Sequence, residues 1–249
     1  MSFPYKTVLV VGATSGIGLA LAEKFISNGS HVVACGRRQE NLDELVRKHG
    51  KDKVSPIQFD ITDLKGIPNF VGQVIRAHPT LDSILLNSGI QRKFDFTQPE
   101  SIDLDLLGTE LTTNYLSYVH LFTAFLPFLQ KQSHPTCLMF TTSGLALIPI
   151  TRCPNYCATK AAMHHMILAL REQLSETNVK VIEILPPAVQ TELHDEKHQP
   201  DIKDGRNMGI PLDEFTEEAW RGLLEGKTDI PIGMAKNSYE GFELKRQKQ

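Results

Sequence analysis

Apolar residues recur along the chain with two alternating periods. Short runs rich in Val, Ile and Leu at 7–11, 31–34, 54–59, 83–86, 137–141 and 179–185 read as strands. Between them, stretches at 18–26, 40–49, 69–77, 104–130 and 156–175 carry the spacing of helices. A strand covered on one face only would alternate apolar with polar residues. Near-continuous apolar strands separated by helices instead predict a parallel sheet covered on both faces. The fold class is therefore α/β, with a doubly wound parallel sheet. A last apolar run at 229–234 predicts an edge strand, where Pro231 is tolerated. From 192 to 226 the pattern lapses into charged residues punctuated by Pro200, Gly205, Gly209 and Pro211, which predicts a substrate lid. No repeat or low-complexity tract divides residues 1–249, so a single domain is expected.

Composition removes alternatives rather than adding any. With 41% hydrophobic and 22% charged residues, the 249-residue chain is neither disordered nor fibrous. A net charge of −3 argues against nucleic acid and against a polybasic membrane patch, and suits small-molecule partners. The longest apolar stretch, 116–129, is interrupted by Ser117, His120 and Thr123, so no membrane span is expected. A strand beginning by residue 6 leaves no room for a signal peptide. Four scattered cysteines (Cys35, Cys137, Cys153, Cys157) predict reduced thiols and a cytoplasmic setting. His194 and His198 stand four apart but lack the glutamate placement of a zinc helix, and Pro200 follows; they read as solvated loop residues, and no metal is expected. His164 and His165 read as surface or interface residues, Trp220 as a helix anchor, and residues 243–249 as a solvated tail.

Chemistry first enters at Gly12-Ala-Thr14-Ser15-Gly16-Ile17-Gly18, placed between the first strand and the first helix. Glycines there allow a tight turn, close approach of a pyrophosphate and close packing of helix on strand. The helix N-terminus then offers its free N–H groups to phosphate, which makes the doubly wound sheet Rossmann-type. At the end of the second strand, Gly36 occupies the position where an acid would bind a ribose 2′-hydroxyl. Arg37 and Arg38 follow it, and guanidinium groups suit a 2′-phosphate, so NADP(H) is favoured over NAD(H). Asp60, before Ile61, reads either as an acceptor for the adenine amino group or as a helix cap.

Tyr156 and Lys160 lie four apart, on one face of a helix. An ammonium beside a phenol favours the phenolate, lowering the phenol toward working pH, where it can exchange a proton with a carbonyl or alcohol oxygen. Ser143, just past a strand, is placed to bind the same oxygen, and Asn114 is a polar residue within a long apolar helical region. Leu145, Leu147, Ile150 and Cys153, between Ser143 and Tyr156, are candidates for the substrate wall.

These residues, together with Asn87-Ser88-Gly89 and the run from Pro186 to Thr191, resemble the short-chain dehydrogenase/reductase family in order and spacing over residues 6 to about 191. Within it the chain is similar to the DltE-like oxidoreductase branch. The resemblance implies Tyr156 as acid/base, Ser143 as holder of the substrate oxygen, Lys160 on the nicotinamide ribose, and Asn114 holding a water in a proton relay. It implies further that Asn87, Gly89, Pro186, Val189 and Thr191 line the cofactor, and that the long helices pair between subunits in a homodimer or homotetramer. Departures from the family pattern are Val11, Leu86, Ser88 and Pro187, the last removing a backbone N–H near the nicotinamide. The expected activity is hydride transfer between NADP(H) and a small carbonyl or secondary alcohol. A 3-oxoacyl carrier-protein reductase and a non-catalytic NADP(H)-binding redox sensor are the alternatives.

Overall fold

The structure is a computed structural model that describes residues 3–247. Seven strands form one parallel sheet in the order β3-β2-β1-β4-β5-β6-β7. They are β1 Thr7–Val11, β2 His31–Gly36, β3 Val54–Gln58, β4 Ser83–Leu86, β5 Thr136–Thr141, β6 Val179–Leu185 and β7 Asp229–Pro231. Both edges carry a proline, Pro56 in β3 and Pro231 in β7, where a missing N–H costs no central ladder bond. The inner strands β1, β4 and β5 are buried at every position.

Along β1, Val8 and Val10 face one layer of helices while Leu9 and Val11 face the other. The first layer holds α1 Gly16–Ser27, α2 Gln39–His49 and α7 Leu212–Leu224. The second holds α3 Ile67–Ala77, α5 Ser117–Gln130 and α6 Pro154–Gln173, with α4 Leu104–Leu111 leading into α5. The sheet order reverses between β1 and β4. Loops leaving those two strands part there, opening a crevice at the carboxyl ends of the strands.

Several elements differ from the sequence expectation. The helical region at 104–130 is interrupted by a π-turn over Thr112–Leu116, which places Asn114 at a bulge. The final strand stops at Pro231, because Gly233 turns with φ +55° into α8 Met234–Ser238. The stretch 192–226 is not a lid throughout. Its second half is α7, whose Phe215, Ala219, Trp220 and Leu223 are buried in the core. Trp220 packs on Phe3 and Phe25 with ring centroids 5.3 and 5.6 Å away, so it anchors a helix. Only 192–211 remains as cover. Of the expected 243–249 tail, 248–249 lie outside the described residues, and the rest is not wholly solvated, since Glu243 is 1% exposed within a π-turn over Tyr239–Glu243 that leads into α9 Leu244–Arg246.

Trp220→Ala is expected to lower unfolding free energy by about 3–5 kcal/mol, as for other buried aromatic truncations. Urea denaturation followed by far-UV circular dichroism checks it, and a loss below about 1 kcal/mol would return α7 to the lid.

Candidate active site

The crevice is a cleft of about 740 Å³ running from the α1 loop to the start of α6. Gly12, Thr14, Ser15, Gly16 and Ile17 line one end, and Arg37, Arg38, Asp60 and Ile61 its flank. Asn87 and Gly89 lie at the middle, with Ser143, Tyr156 and Lys160 beyond them; Pro186, Val189 and Thr191 close the side. Of the residues expected to bind the cofactor or to do chemistry, Gly18 and Asn114 do not line it.

The loop owes its shape to β1 and β2. Backbone N–H groups of Gly12 and Ala13 both donate to the Cys35 carbonyl at 2.9 Å. Gly12 has φ +94°, and a Cβ there would meet the Ser88 nitrogen at 2.8 Å. A Cβ on Gly18 would collide with the Gly12 carbonyl, so α1 can start this close to β1 only with glycine at that position. Ser15, at the N-cap of α1, makes no side-chain cap, which leaves the first-turn N–H groups unpaired by it. Asn87 donates to the Gly12 carbonyl at 3.5 Å, while its Oδ1 is buried with no partner among the described residues. Uncapped N–H groups, an unpartnered amide oxygen and a glycine cradle fit a dinucleotide pyrophosphate and ribose.

Two arginines flank that cradle differently. Arg38 donates to the Thr14 and Ser15 hydroxyls at 3.2 and 2.6 Å and pairs with Glu192 at 2.8 Å. Arg37 is largely exposed, with Asp60 3.9 Å away. Asp60 does not cap a helix: Oδ1 accepts from the Thr62 N–H and hydroxyl, and α3 begins only at Ile67.

At the other end, Ser143 closes β5 and accepts from the Leu145 N–H at 3.0 Å. The Gly144 N–H donates to the Pro186 carbonyl at 2.8 Å, tying Ser143 to the Pro186–Thr191 run. Lys160 is buried; its Nζ donates to the Thr141 carbonyl at 2.9 Å and sits 5.6 Å from the Tyr156 ring centroid. The expected lowering of the phenol by Lys160 is not what the structure holds. Burial pushes Tyr156 above the ordinary phenol range, and contact with Ser143 offsets this only in part. Burial also lowers Lys160 to about 8, against negative charge from Glu183 and Glu110.

Asn114 braces the floor. Its amide donates to the Ile90 carbonyl at 2.9 Å and the Thr159 hydroxyl at 3.2 Å, while its Oδ1 accepts from the Ile90 N–H at 2.9 Å. A Cβ on Gly89 would lie 3.4 Å from Asn114 Oδ1 and 3.7 Å from Lys160 Nζ, so all three meet.

On the substrate side, Leu145 and Ile150 line the cleft as expected, joined by Ile148, Met208 and Met234. Leu147 and Cys153 do not; Cys153 is fully buried with Cys157 against Tyr156. His194 is buried rather than solvated, because Gln199 bonds to it at 3.3 Å, and burial together with Arg152 lowers it to about 4. Arg152 also pairs with Asp201 at 2.7 Å, fastening the 192–211 cover to the loop before α6. Sequence reasoning passed over Glu192 and Gln199. The only signal for Glu192 was an acid next to Thr191, and Gln199 offered none.

His164 is likewise buried, not at the surface. Its ring lies between Glu183 and Glu243, at 2.8 and 3.1 Å.

Comparison with known proteins agrees with this geometry. A family model described as short chain dehydrogenase matches residues 6–201. The uncharacterized oxidoreductase DltE of Bacillus subtilis is 36% identical over 232 residues, 92% of this chain and 89% of that one. A short chain dehydrogenase from Burkholderia cenocepacia, solved with NADP, superposes with TM-score 0.81 at 24% identity, over 100% of this chain and 97% of the other. A serine dehydrogenase solved in closed form with NADP+ gives TM-score 0.76 at 27% identity, over 86% and 88%. With a family model spanning the sheet from β1 past β6 and a DltE relative aligned along most of both chains, the chain belongs to the short-chain dehydrogenase family of oxidoreductases.

Proposed function

We propose that this oxidoreductase uses NADP(H) to interconvert a carbonyl and a secondary alcohol on a small, apolar molecule, in a cytoplasmic setting. The observation that carries the reading is that Ser143, Tyr156 and Lys160 share one end of a cleft whose other end is the glycine cradle. The bound nicotinamide would supply or accept the hydride. Ser143 would donate its hydroxyl to the substrate oxygen, and Tyr156 would pass that oxygen a proton or take one from it. A neutral, buried phenol suits the acid role in reduction, since the proton stays on the ring until an oxyanion develops beside it. Lys160 would hold the nicotinamide ribose and, as an ammonium, stabilise the phenolate that remains. Asn114 keeps the Ile90 backbone in place beneath that pair, where the family relay would hold its water.

The cofactor preference rests on Arg37 and Arg38 beside a Gly36 that offers no carboxylate to a ribose hydroxyl. Two structural neighbours were solved with NADP and another with NAD, so the preference is carried by the arginines. Although Arg92, Lys197 and His198 line the same cleft, the substrate class rests on the apolar side of the rim, Leu145, Ile148, Ile150, Met208 and Met234, of which Ile148, Ile150 and Met234 are exposed. That favours an apolar ketone or aldehyde over a carrier-bound thioester. A homodimer or homotetramer paired through the long helices, as the family resemblance implies, belongs to the same proposal.

NADPH oxidation at 340 nm with a panel of aryl and alkyl ketones, aldehydes and diketones is expected to reveal turnover. Tyr156→Phe should then reduce kcat at least about 100-fold, the scale of a general acid; wild-type rates in that variant would overturn the mechanism. Tight NADPH binding without turnover of any carbonyl or alcohol would assign the sensor instead. Arg37→Ala should weaken NADPH binding by about 10- to 100-fold while leaving NADH unchanged, since the lost contact is to a charged group. Tighter binding of NADH than NADPH by the wild type, indifferent to that substitution, would reverse the cofactor preference. Because Lys160 loses its proton near pH 8, kcat/KM for NADPH is expected to fall above about pH 8.

A further inference from the structure

Beneath the catalytic helix lies a cluster of charge that the proposed chemistry does not use. His164 follows Lys160 by one turn of α6, so both side chains leave the same face. Its ring is 1% exposed, with Nδ1 at 2.8 Å from Glu183 Oε2 and Nε2 at 3.1 Å from Glu243 Oε1. Glu183 comes from the middle of β6 and is 0% exposed. Its other oxygen accepts from the Thr142 hydroxyl at 2.5 Å. Thr142 follows Thr141, whose carbonyl holds Lys160. Glu243 comes from the C-terminal π-turn; Arg246 donates to both its oxygens at 2.8 and 2.9 Å, and Gln247 donates to it at 2.9 Å. Tyr239 ties the same turn to β7 through Asp229 at 2.8 Å.

The ring's protonation follows from these distances. Nδ1 faces Glu183 alone, while Nε2 has Glu243 Oε1 at 3.1 Å and Arg246 Nη2 at 3.3 Å; of these the carboxylate is the nearer, and only an imidazolium donates to both carboxylates. Burial alone would lower the imidazole, but hydrogen bonds and charge from Glu183 and Glu243 outweigh it and raise its pKa. Beyond the two carboxylates, the Arg246 guanidinium faces the ring, its Nη2 3.3 Å from Nε2 while it also donates to both Glu243 oxygens; Thr142 on β5 is neutral and His165 is the neighbour on α6.

We propose that His164, as an imidazolium clamped between Glu183 and Glu243, is a positioning residue for the proton chemistry of Lys160 and Tyr156. It sets how much of the Glu183 charge reaches Lys160, and it docks the C-terminal turn on the helix that carries both reactive groups. This rests on the reading of Tyr156 and Lys160 given above.

The test uses the opposite signs of two substitutions. His164→Asn removes a positive charge, leaves Glu183 unscreened, and favours the Lys160 ammonium; the alkaline limb of kcat/KM for NADPH moves up by about one pH unit. Glu183→Gln removes the negative charge and moves the same limb down. Packing damage alone would lower kcat and melting temperature in both variants without moving the limb in opposite directions, and that outcome overturns the proposal. Because a variant of a buried ion cluster can fail to fold, the wild type is read directly. Nitrogen-15 spectra of histidine-labelled protein are expected to show one ring that stays doubly protonated above the ordinary imidazole range, assigned to His164 by its earlier loss of proton in Glu243→Gln. A neutral His164 ring at pH 7 in the wild type overturns the proposal by itself. The stability slope has a definite sign: folding raises this pKa, so the stabilisation is complete below pH 6.5, the ordinary value, and is lost as pH climbs through the folded one. A Tyr156→Phe variant with wild-type turnover would sink the acid/base reading, whereas an inactive one with unmoved limbs in the His164 and Glu183 variants would sink this inference alone.

Discussion

The cleft depends on how near the first helix begins to the first strand. Gly18 stands where any side chain would strike the Gly12 carbonyl, so α1 sits directly on the end of β1 and its free N–H groups open into the crevice. That start fixes the floor of the cleft, since Asn87 at the end of β4 reaches back to the same Gly12 carbonyl. Thr191, past β6, lies 3.2 Å from where a Gly16 Cβ would be. A helix begun one turn later would leave Asn87 and Thr191 without the surface they meet. The two ends of the cleft are therefore set by one contact and by the sheet that carries it.

Much of this frame was legible in the sequence because it depends on local rules. Uninterrupted apolar strands such as Val8-Leu-Val-Val11 can be satisfied only between two helical layers, and the structure supplies both. The residues expected at the cleft have fixed distances from strand ends, so parallel strands bring them to one edge. Where the reading failed, the cause was tertiary. The 192–226 segment has the composition of a lid, yet Phe215, Ala219 and Trp220 recur at helical spacing and find α1. His194 looked solvated because its partner Gln199 gives no signal in the sequence, and Gln199 is itself held by Arg152 from the loop before α6. His164 looked exposed because its partners, on β6 and near the C-terminus, are far from it along the chain. One sign was available: Glu183 is an acid in the middle of Val-Lys-Val-Ile-Glu-Ile-Leu, and a carboxylate inside a covered sheet requires a partner.

Burial acts on Tyr156 and Lys160, the groups proposed to handle the proton, in the same direction, against charge. It raises the Tyr156 phenol and lowers the Lys160 ammonium, so without compensation the site would favour a neutral phenol beside a neutral amine. A neutral amine would neither stabilise a phenolate nor hold a ribose with full strength. Compensation has to come from fixed negative charge beneath the helix, and Glu183 and Glu110 are the two acids that supply it. Glu110 is held by the Arg92 N–H at 2.7 Å and the Asn155 amide at 2.6 Å, and Glu183 by Thr142 and His164. Glu110 also lies in the field of the Arg92 charge, whereas Glu183 has an imidazole ring at hydrogen-bond distance. The field at Lys160 is thus set by two differently screened acids. One of them pairs with His164, whose far side meets Glu243 of the turn over Tyr239–Glu243, and in the proposed mechanism this links that turn to the electrostatics at Lys160.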